Sequence, residues 1–202
     1  MNEEMLNRYK LAAEQGDIEA QFKLGEYYFE QNAEAETEEE EEKAGAECLK
    51  YYTMAAEQGH ATAQRYLGEF YETGIIVEDE DEDKAEKWYK LAAEQGDVTG
   101  QYRLADLSYG MGKTTKAVKW FKAAAAQGDA DSMISLGKIY YEEKDDEYQA
   151  FSWYQQAEAL GHNEARIELA VCYLKGIGTR RDGNKALELI QKAVEQGIDE
   201  YY

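Results

Sequence analysis

The segment of the sequence that most resembles a catalytic motif is Gly110-Met111-Gly112-Lys113-Thr114. A phosphate-binding loop ends in a similar Gly-Lys-Thr, but it also requires a glycine at the position that Leu107 occupies here. Such a loop follows a strand, whereas this segment lies between two stretches with helical periodicity. We therefore interpret it as a tight turn between helices and not as a nucleotide site.

Histidines are the other candidates for chemistry, and the chain has two of them, His60 and His162. Neither has a second histidine, a cysteine or an aspartate at the spacing of metal ligands, and neither is paired with a nucleophile. Carboxylates are abundant, but no feature of the sequence selects two of them as an acid–base pair. We predict no catalytic residue, no metal site and no cofactor, and we expect the protein not to be an enzyme.

A short phrase, Ala-Ala-Glu-Gln-Gly, organises the rest of the chain. Identical or similar copies end at six marker glycines, separated by 43, 37, 32, 33 and 36 residues: Gly16, Gly59, Gly96, Gly128, Gly161 and Gly197. Repetition at such intervals is typical of a solenoid, in which each pair of helices buries its apolar face against the neighbouring pair. The repeat therefore predicts the fold and directs the search for function to the exposed face.

Apolar positions on either side of each marker glycine predict two helices per repeat. Before the glycine, apolar residues form one stripe of an amphipathic helix that ends there. After it, a second stripe contains a leucine followed by glycine or alanine, as in Leu67-Gly68. A glycine inside a helix costs about 1 kcal/mol relative to alanine, so its recurrence indicates that another helix passes close by. The residues directly after the marker glycines are expected to start the next helix, with these aspartates as N-caps: Asp17, Asp97 and Asp129.

These motifs carry a resemblance to a known family. Leu-Gly-x-x-Tyr on one helix and Ala-x-x-Trp-Tyr-x-x-Ala-Ala-Glu-Gln-Gly on the next resemble the Sel-one-like repeat (SLR) family, a branch of the tetratricopeptide repeat (TPR) superfamily. The resemblance implies an all-α fold, a right-handed α-α superhelix or TPR-like solenoid, that binds other proteins without catalysis. Two features depart from the family. The cysteine pairs of its secreted members are absent, and its Gly-x-Gly turn survives clearly only at Gly176-Ile177-Gly178.

We expect residues 1–202 to form a single solenoid domain of about eleven helices in antiparallel pairs. A capping helix is predicted at residues 3–15 and a last helix at residues 185–196. The repeats are predicted at residues 17–58, 60–95, 97–127, 129–160 and 162–197.

The composition excludes several classes of function. The chain has no proline, as helix interiors require, and its net charge is −21. Residues 1–100 carry 27 Asp and Glu against 9 Lys and Arg, whereas residues 101–202 carry 16 against 13. Such acidity argues against nucleic-acid binding and favours a basic partner protein or peptide. It could equally serve only to keep a helical array in solution.

The location of the protein is predicted from what the sequence lacks. No apolar run is long enough to span a membrane, and no secretion signal is recognised. Cys48 and Cys172 lie at apolar helix positions and are expected to be buried thiols. We expect a cytoplasmic monomer that does not bind membranes.

Two acidic runs lie between the first and second helices of the first two repeats. They lack the alternating ligands and the central glycine of a calcium loop. Acids just before a helix complement its positive N-terminus, but this accounts for only part of each run. The surplus predicts an acidic ridge for a basic partner, at one edge of the solenoid: Glu38, Glu39, Glu40, Glu41, Glu42, Glu78, Asp79, Glu80, Asp81, Glu82 and Asp83.

The resemblance also implies a binding groove, because in the TPR fold the outer stripe of each first helix lines a concave surface. In this chain the stripe mixes aromatic and acidic residues and changes between repeats, as a partner-specific surface does. Some of its aromatics could instead pack against the neighbouring repeat. The predicted groove residues are Glu19, Phe22, Glu26, Phe29, Arg65, Glu69, Tyr102, Asp106, Tyr109, Lys138 and Tyr141.

The function that the sequence favours is a non-enzymatic adaptor that binds a partner with basic segments in this groove and at the acidic N-terminal edge. The alternative is an immunity-type or inhibitor protein that masks a cationic toxin or enzyme, since this would also account for the charge.

Overall fold

Helices and short connections make up the part of the chain that the structure, a computed structural model, describes: residues 1–77 and 79–195. Within these ranges there is no strand, which confirms the all-α fold class with eleven helices in antiparallel pairs. The helices are α1 (Glu3–Glu14), α2 (Ile18–Ala33), α3 (Glu38–Glu57), α4 (Ala61–Thr73), α5 (Glu82–Glu94), α6 (Val98–Gly110), α7 (Thr114–Ala125), α8 (Ala130–Glu142), α9 (Glu147–Ala159), α10 (Asn163–Lys175) and α11 (Gly183–Glu195). Gln196 and Gly197, the predicted ends of the last helix and the last repeat, lie outside the described residues.

The chain divides into two compact units, Met1–Ser108 and Tyr109–Tyr202. In the first unit α1 packs against α2, α2 against α3, α3 against α4 and α4 against α5. In the second unit α7 packs against α8, α8 against α9, α9 against α10 and α10 against α11. Each of these helices packs against at least one helix that is next to it in sequence, as stacked helix pairs require. The single domain over residues 1–202 stays a prediction, as do the repeat boundaries within it.

The marker glycines end the second helix of each pair, as predicted. Their φ angles lie between +86° and +95°, in the left-handed region, at Gly16, Gly59, Gly96, Gly128 and Gly161. A residue with a side chain rarely adopts this conformation, so glycine allows the helix to end and the chain to turn. The next residue then caps the following helix. The predicted N-caps each accept a backbone N–H bond, at 2.8 Å, 2.6 Å and 2.8 Å: Asp17, Asp97 and Asp129.

Tyrosine rings fill the space where paired helices approach most closely. Three such rings lie against glycines of the preceding helix: Tyr52 on Gly25, Tyr89 on Gly68 and Tyr154 on Gly137. A Cβ atom on any of these glycines would come within 3.0 Å of a ring atom. The close helix approach predicted from the Leu-Gly motif is therefore confirmed, and the tyrosine ring is the group that requires it.

The first acidic run is helical, whereas the sequence analysis placed it in the connection between helices. α3 begins at Glu38 and extends over 20 residues, so residues 38–42 form its N-terminal turns. The Thr37 hydroxyl caps the helix by accepting the Glu40 N–H at 3.3 Å. Glutamate is a good helix former and is favoured near a helix N-terminus, and these preferences together extend α3.

Candidate protein-binding surface

The predicted groove residues of the first unit lie on α2, α4 and α6, which are the first helices of successive repeats. Two of them are exposed and five are half-buried. Phe22 is different, since only 7% of its surface is exposed. The others form what we call the first-helix face: Glu19, Glu26, Phe29, Arg65, Glu69, Tyr102 and Asp106.

Phe22 is covered by the neighbouring repeat. Its ring stacks on the His60 ring with centroids 4.2 Å apart, and the Tyr66 centroid lies 6.5 Å away. It belongs to a buried cluster that also contains Tyr52 and Leu67. For Phe22, therefore, the alternative interpretation holds: this aromatic side chain packs against the neighbouring repeat. Phe22 packs below the first-helix face, and little of its surface is accessible.

An aromatic cluster crosses from α2 to α4 on this face. The Phe29 centroid lies 5.6 Å from that of Phe70 and 6.3 Å from that of Tyr66. Phe70 is buried, while Phe29 and Tyr66 are half-buried and contribute to the surface. The sequence analysis did not select Tyr66. Its position in the repeat holds Lys23 and Arg103 in the adjacent repeats, and this variability was the available signal.

Carboxylates and an aromatic ring surround the one arginine predicted on this face. Arg65 lies 3.5 Å from Glu69 and 3.9 Å from Asp97. Its guanidinium carbon is 4.2 Å from the centroid of the Tyr66 ring. Glu69 also contacts Arg103, at 3.9 Å. The face therefore holds a cation of the chain itself by both charge and ring contact.

The remaining predicted groove residues belong to the second unit. The Lys138 ammonium donates to the Glu164 carboxylate at 2.8 Å, and this hydrogen bond raises the pKa of Lys138. Tyr141 is 41% exposed. The side chain of Tyr109 is hydrogen-bonded to Glu143, which raises the pKa of the phenol. The lysine of this stripe is thus paired with an acid, and Tyr141 is its exposed aromatic residue.

Both acidic runs contribute to the lining of one pocket in the first unit, which we call the edge pocket. Glu38, Glu41 and Glu42 line it from α3, and Asp79 lines it from the connection between α4 and α5. Glu78 lies outside the described residues. The other described members of the predicted ridge, apart from Asp81, are exposed: Glu39, Glu40, Glu80, Glu82 and Asp83.

Asp81 has a structural role. Its carboxylate accepts the Lys84 N–H at 2.9 Å and so caps α5. The same carboxylate lies 3.0 Å from the Lys84 ammonium. These two bonds, the backbone one foremost, lower the pKa of Asp81. Asp81 is therefore one of the acids that complement the positive N-terminus of the following helix.

The two histidines, which the sequence analysis considered as candidates for chemistry, lie at the N-termini of helices. The Nδ1 atom of His60 accepts the Ala63 N–H at 3.1 Å and caps α4, while the Nε2 atom of His162 lies 3.1 Å from Asp131. Both histidines start a helix, as predicted. No group of three or more His, Cys, Asp or Glu side chains within residues 1–77 and 79–195 could hold a metal ion.

The Gly110–Thr114 segment forms the tight turn predicted for it. α6 ends at Gly110 and α7 begins at Thr114, with Gly112 at φ +72° between them. The Thr114 hydroxyl donates to a Glu143 carboxylate oxygen at 2.9 Å. Among the described helices, none is long and apolar enough to cross a membrane.

Buried glutamines join the repeats of the first unit, and the sequence analysis missed them. Gln21, Gln64 and Gln101 each donate to a backbone carbonyl in the helix before them, at 3.1 Å, 2.9 Å and 3.1 Å. The glutamines of the repeated phrase donate in turn to two of these amides: Gln58 to Gln21 and Gln95 to Gln64. Their recurrence five residues after a marker glycine was the available signal.

The described geometry agrees with comparisons to known proteins. A Sel1 repeat family model matches residues 9–17, 18–60, 61–97, 98–129, 130–162 and 163–198. No curated protein matches the sequence. A protective antigen of uropathogenic Escherichia coli, c5321, which displays an SLR fold, is 30% identical with a TM-score of 0.76, over 96% of this chain and 41% of that one.

Two further solved structures are similar. A Sel1 repeat protein from Oxalobacter formigenes is 29% identical with a TM-score of 0.71, over 96% of this chain and 56% of that one. The immunity protein Pa5087 from Pseudomonas aeruginosa is 23% identical with a TM-score of 0.50, over 75% of this chain and 58% of that one, a likeness of fold alone. The chain thus spans 41% and 56% of the lengths of the first two structures.

Sel1 repeat proteins generally mediate protein–protein interactions, and their fold is typically a non-catalytic scaffold. The matched repeats cover most of the 202 residues. The chain therefore belongs to the Sel1 repeat family.

Proposed function

We propose that this protein is a non-enzymatic interaction module that binds a basic segment of a partner protein. The first-helix face and the acidic ridge of the first unit would together receive that segment. The partner would be a protein or peptide, not a nucleic acid or a membrane.

The charge of the first unit is the observation that carries the proposal. Residues 1–108 contain 28 Asp and Glu against 10 Lys and Arg, whereas residues 109–202 contain 15 against 12. Several of those few cations are already bound by carboxylates, as Arg65 is by Glu69 and Lys23 by Glu26 at 2.7 Å. The resulting excess of negative charge favours basic partners and accelerates their association.

Aromatic side chains add contact area to this charge. Phe29 is half-buried and lies three residues after Glu26 on α2. Tyr66 is also half-buried and lies three residues before Glu69 on α4. Tyr102 belongs to the equivalent stripe on α6. Aromatic anchors flanked by acids suit lysine and arginine side chains through both hydrophobic and cation–π contacts. The free thiols of Cys48 and Cys172 fit a reducing compartment, and we place the protein, as a monomer, in the cytoplasm.

The experiment is a quantitative capture of partners from a lysate of the source cells, with three variants beside the parent. The first removes ridge charges: Glu38→Gln, Glu41→Gln, Glu42→Gln and Asp79→Asn. The second removes face aromatics: Phe29→Ala and Tyr102→Ala. The control removes four exposed charges elsewhere: Glu3→Gln, Glu4→Gln, Glu14→Gln and Glu57→Gln.

We expect the parent and the control to retain the same partner and both test variants to lose most of it. With the purified partner, the ridge variant should associate more slowly at low salt, and the aromatic variant should dissociate faster. A ridge variant that associates as fast as the parent would show that the ridge is only a solvated surface. An unchanged dissociation rate of the aromatic variant would place the binding surface elsewhere.

An inhibitor or immunity role remains the second candidate, and the same acidic charge favours it. In that case the captured partner would be a cationic toxin or enzyme, and adding this protein would abolish its activity at equimolar concentration. A captured partner that keeps full activity in the complex would support the adaptor role instead.

A further inference from the structure

The edge pocket is lined by both apolar and acidic side chains. It has a volume of about 720 Å³ and lies between the N-terminal turns of α3 and the connection from α4 to α5. Leu49, Ile75, Ile76 and Val77 contribute apolar surface, and Glu42 and Asp79 contribute carboxylates. The pocket is therefore suited to an apolar side chain that has positive charges beside it.

One of the two elements that line the pocket is an extension of the repeat. α3 has 20 residues, whereas the second helices α5 and α7 have 13 and 12. The connection between α4 and α5, residues 74–81, is similar in length to that between α10 and α11, residues 176–182. Both elements line the same pocket, and loops commonly carry binding residues.

Two isoleucines at the start of the connection between α4 and α5 differ in their exposure. Ile76 packs against the buried cluster of α2, α3 and α4, and this contact fixes the connection to the core. The adjacent Ile75 is 63% exposed. The Asp81 N–H donates to the Tyr71 carbonyl at 2.7 Å and closes the connection at its other end. Ile75 thus adds exposed apolar surface beside the carboxylates that line the pocket.

The charges at the pocket favour a cationic occupant. Lys84 is the cation that lines it, and its ammonium is already bound to Asp81 at 3.0 Å and lies 4.9 Å from the Tyr71 ring centroid. Glu42 and Asp79 form no salt bridge with a described lysine or arginine. Carboxylates without a cation of the chain disfavour nucleic acid and anionic lipid headgroups, and by charge complementarity they favour a basic protein segment.

We propose that the edge pocket binds a short partner segment in which one or two apolar side chains are flanked by lysine or arginine. The inference rests on the proposed function and specifies where the basic segment is anchored and what its sequence must contain. The apolar side chain would contact Ile75 and Val77, and the flanking cations would face Glu42 and Asp79.

The test uses defined fluorescent peptides and fluorescence anisotropy at low salt. The first peptide has a Leu-Leu pair between two Lys-Arg pairs. A second replaces the leucines by serine, and a third replaces the basic residues by glutamine. We expect the first peptide to bind, and each replacement to weaken binding about tenfold or more. Equal binding of the serine peptide would overturn the proposal, because the apolar residues that line the pocket would then have no role.

Protein variants locate the binding. Ile75→Ser and the pair Glu42→Gln with Asp79→Asn should each weaken binding of the first peptide about tenfold. These side chains are at least partly exposed, and thermal melts will verify that the variants are folded. The pair Glu3→Gln with Glu4→Gln, which removes the same charge on α1, should leave the affinity within about twofold. Equal losses in the control pair would overturn the proposal in favour of general electrostatic attraction.

The first-helix face provides the variant that separates this inference from the proposed function. If Glu26→Gln with Glu69→Gln abolishes peptide binding and Ile75→Ser does not, basic segments bind at the face, and the pocket proposal is overturned while the proposed function stands. If no peptide binds, the pocket proposal is overturned as well, and the capture experiment alone decides the proposed function.

Discussion

The ring of Tyr89 on α5 lies so close to Gly68 on α4 that a Cβ atom on residue 68 would come within 2.5 Å of a ring carbon. Tyr89 has no exposed surface, and its hydroxyl donates to a Glu72 carboxylate oxygen at 2.5 Å. The ring is therefore held both by packing and by a hydrogen bond across the helix pair. Gly68 is required here for space, because its φ is not in the left-handed region.

Replacement of Gly68 by alanine should destabilise the protein by about 1–3 kcal/mol, because the new methyl group must displace the Tyr89 ring or separate the two helices. This loss should exceed the gain of about 1 kcal/mol that alanine brings to a helix interior. Urea unfolding measures the difference. Gly110→Ala is the matched control, since a Cβ there would meet no atom within 4 Å, and it should be neutral or stabilising. A Gly68→Ala variant as stable as the parent would contradict the contact.

The close approach at glycine was predicted from the sequence, but the partner ring was not identified. The Leu-Gly motif marks a helix position without room for a side chain, whatever the neighbouring residue is. The ring on the next helix varies together with this position. In the repeats where the equivalent position is Ala105 or Ala170, the next helix carries Phe121 or Ile190 in place of the tyrosine. Glycine thus occurs together with tyrosine.

The periodic pattern of apolar residues did not reveal other parts of the candidate site. Phe22 fits the pattern of an exposed stripe, and its burial depends on His60 and Tyr66 from the next repeat, whose position follows from three-dimensional stacking. The run at residues 38–42 is charged throughout and shows no apolar period, so the sequence did not reveal that it continues α3. The buried glutamines were missed because glutamine is usually exposed.

The Gln64 amide joins two repeats and should contribute to stability in proportion to its burial. It donates to the Ala56 carbonyl at 2.9 Å and accepts from Gln95 at 2.7 Å, and only 4% of its surface is exposed. Gln64→Met preserves the shape but removes the polar atoms, which leaves the Ala56 carbonyl without this bond. We expect a loss of about 1–3 kcal/mol in the free energy of unfolding.

The control for this glutamine is Gln156, whose amide also donates to a backbone carbonyl, at 3.2 Å, but is exposed. Gln156→Met should change the free energy of unfolding by less than about 0.5 kcal/mol, because water can replace the bond. Equal effects of the two substitutions in chemical denaturation would show that the buried glutamine ladder does not stabilise the repeats.

Both cysteines should be inert while the protein is folded. Burial raises the pKa of the Cys48 thiol to about 12 and, with smaller contributions from Glu168 and Glu147, that of Cys172 to about 11. Since the thiolate is the reactive form, labelling with Ellman's reagent at about pH 8 should be very slow in the native state. In denaturant both thiols should react quickly. Rapid labelling of the native protein would contradict the burial of these two side chains.

Glu168 should make stability depend on pH in the second unit. Burial, opposed by Lys138 and reinforced by Glu164 and Glu142, raises the pKa of Glu168 above its usual value of 4.5. The folded state therefore holds this proton more tightly than the unfolded state does, so the group favours folding in acid. Its favourable contribution is complete below the usual pKa and is lost as pH rises through the raised folded-state value.

Glu168→Gln should accordingly raise the melting temperature at about pH 7, well above the usual pKa of a glutamate, because the half-buried carboxyl no longer has to ionise. At about pH 4 the substitution should have little effect. The control Asp106→Asn removes an equal charge at an exposed helix position and should not reproduce this dependence. Thermal unfolding followed by circular dichroism at both pH values makes the comparison. If Glu168→Gln lowers the melting temperature at neutral pH, then the attraction of Lys138 for the carboxylate outweighs its burial, and the direction argued here for the pKa is wrong.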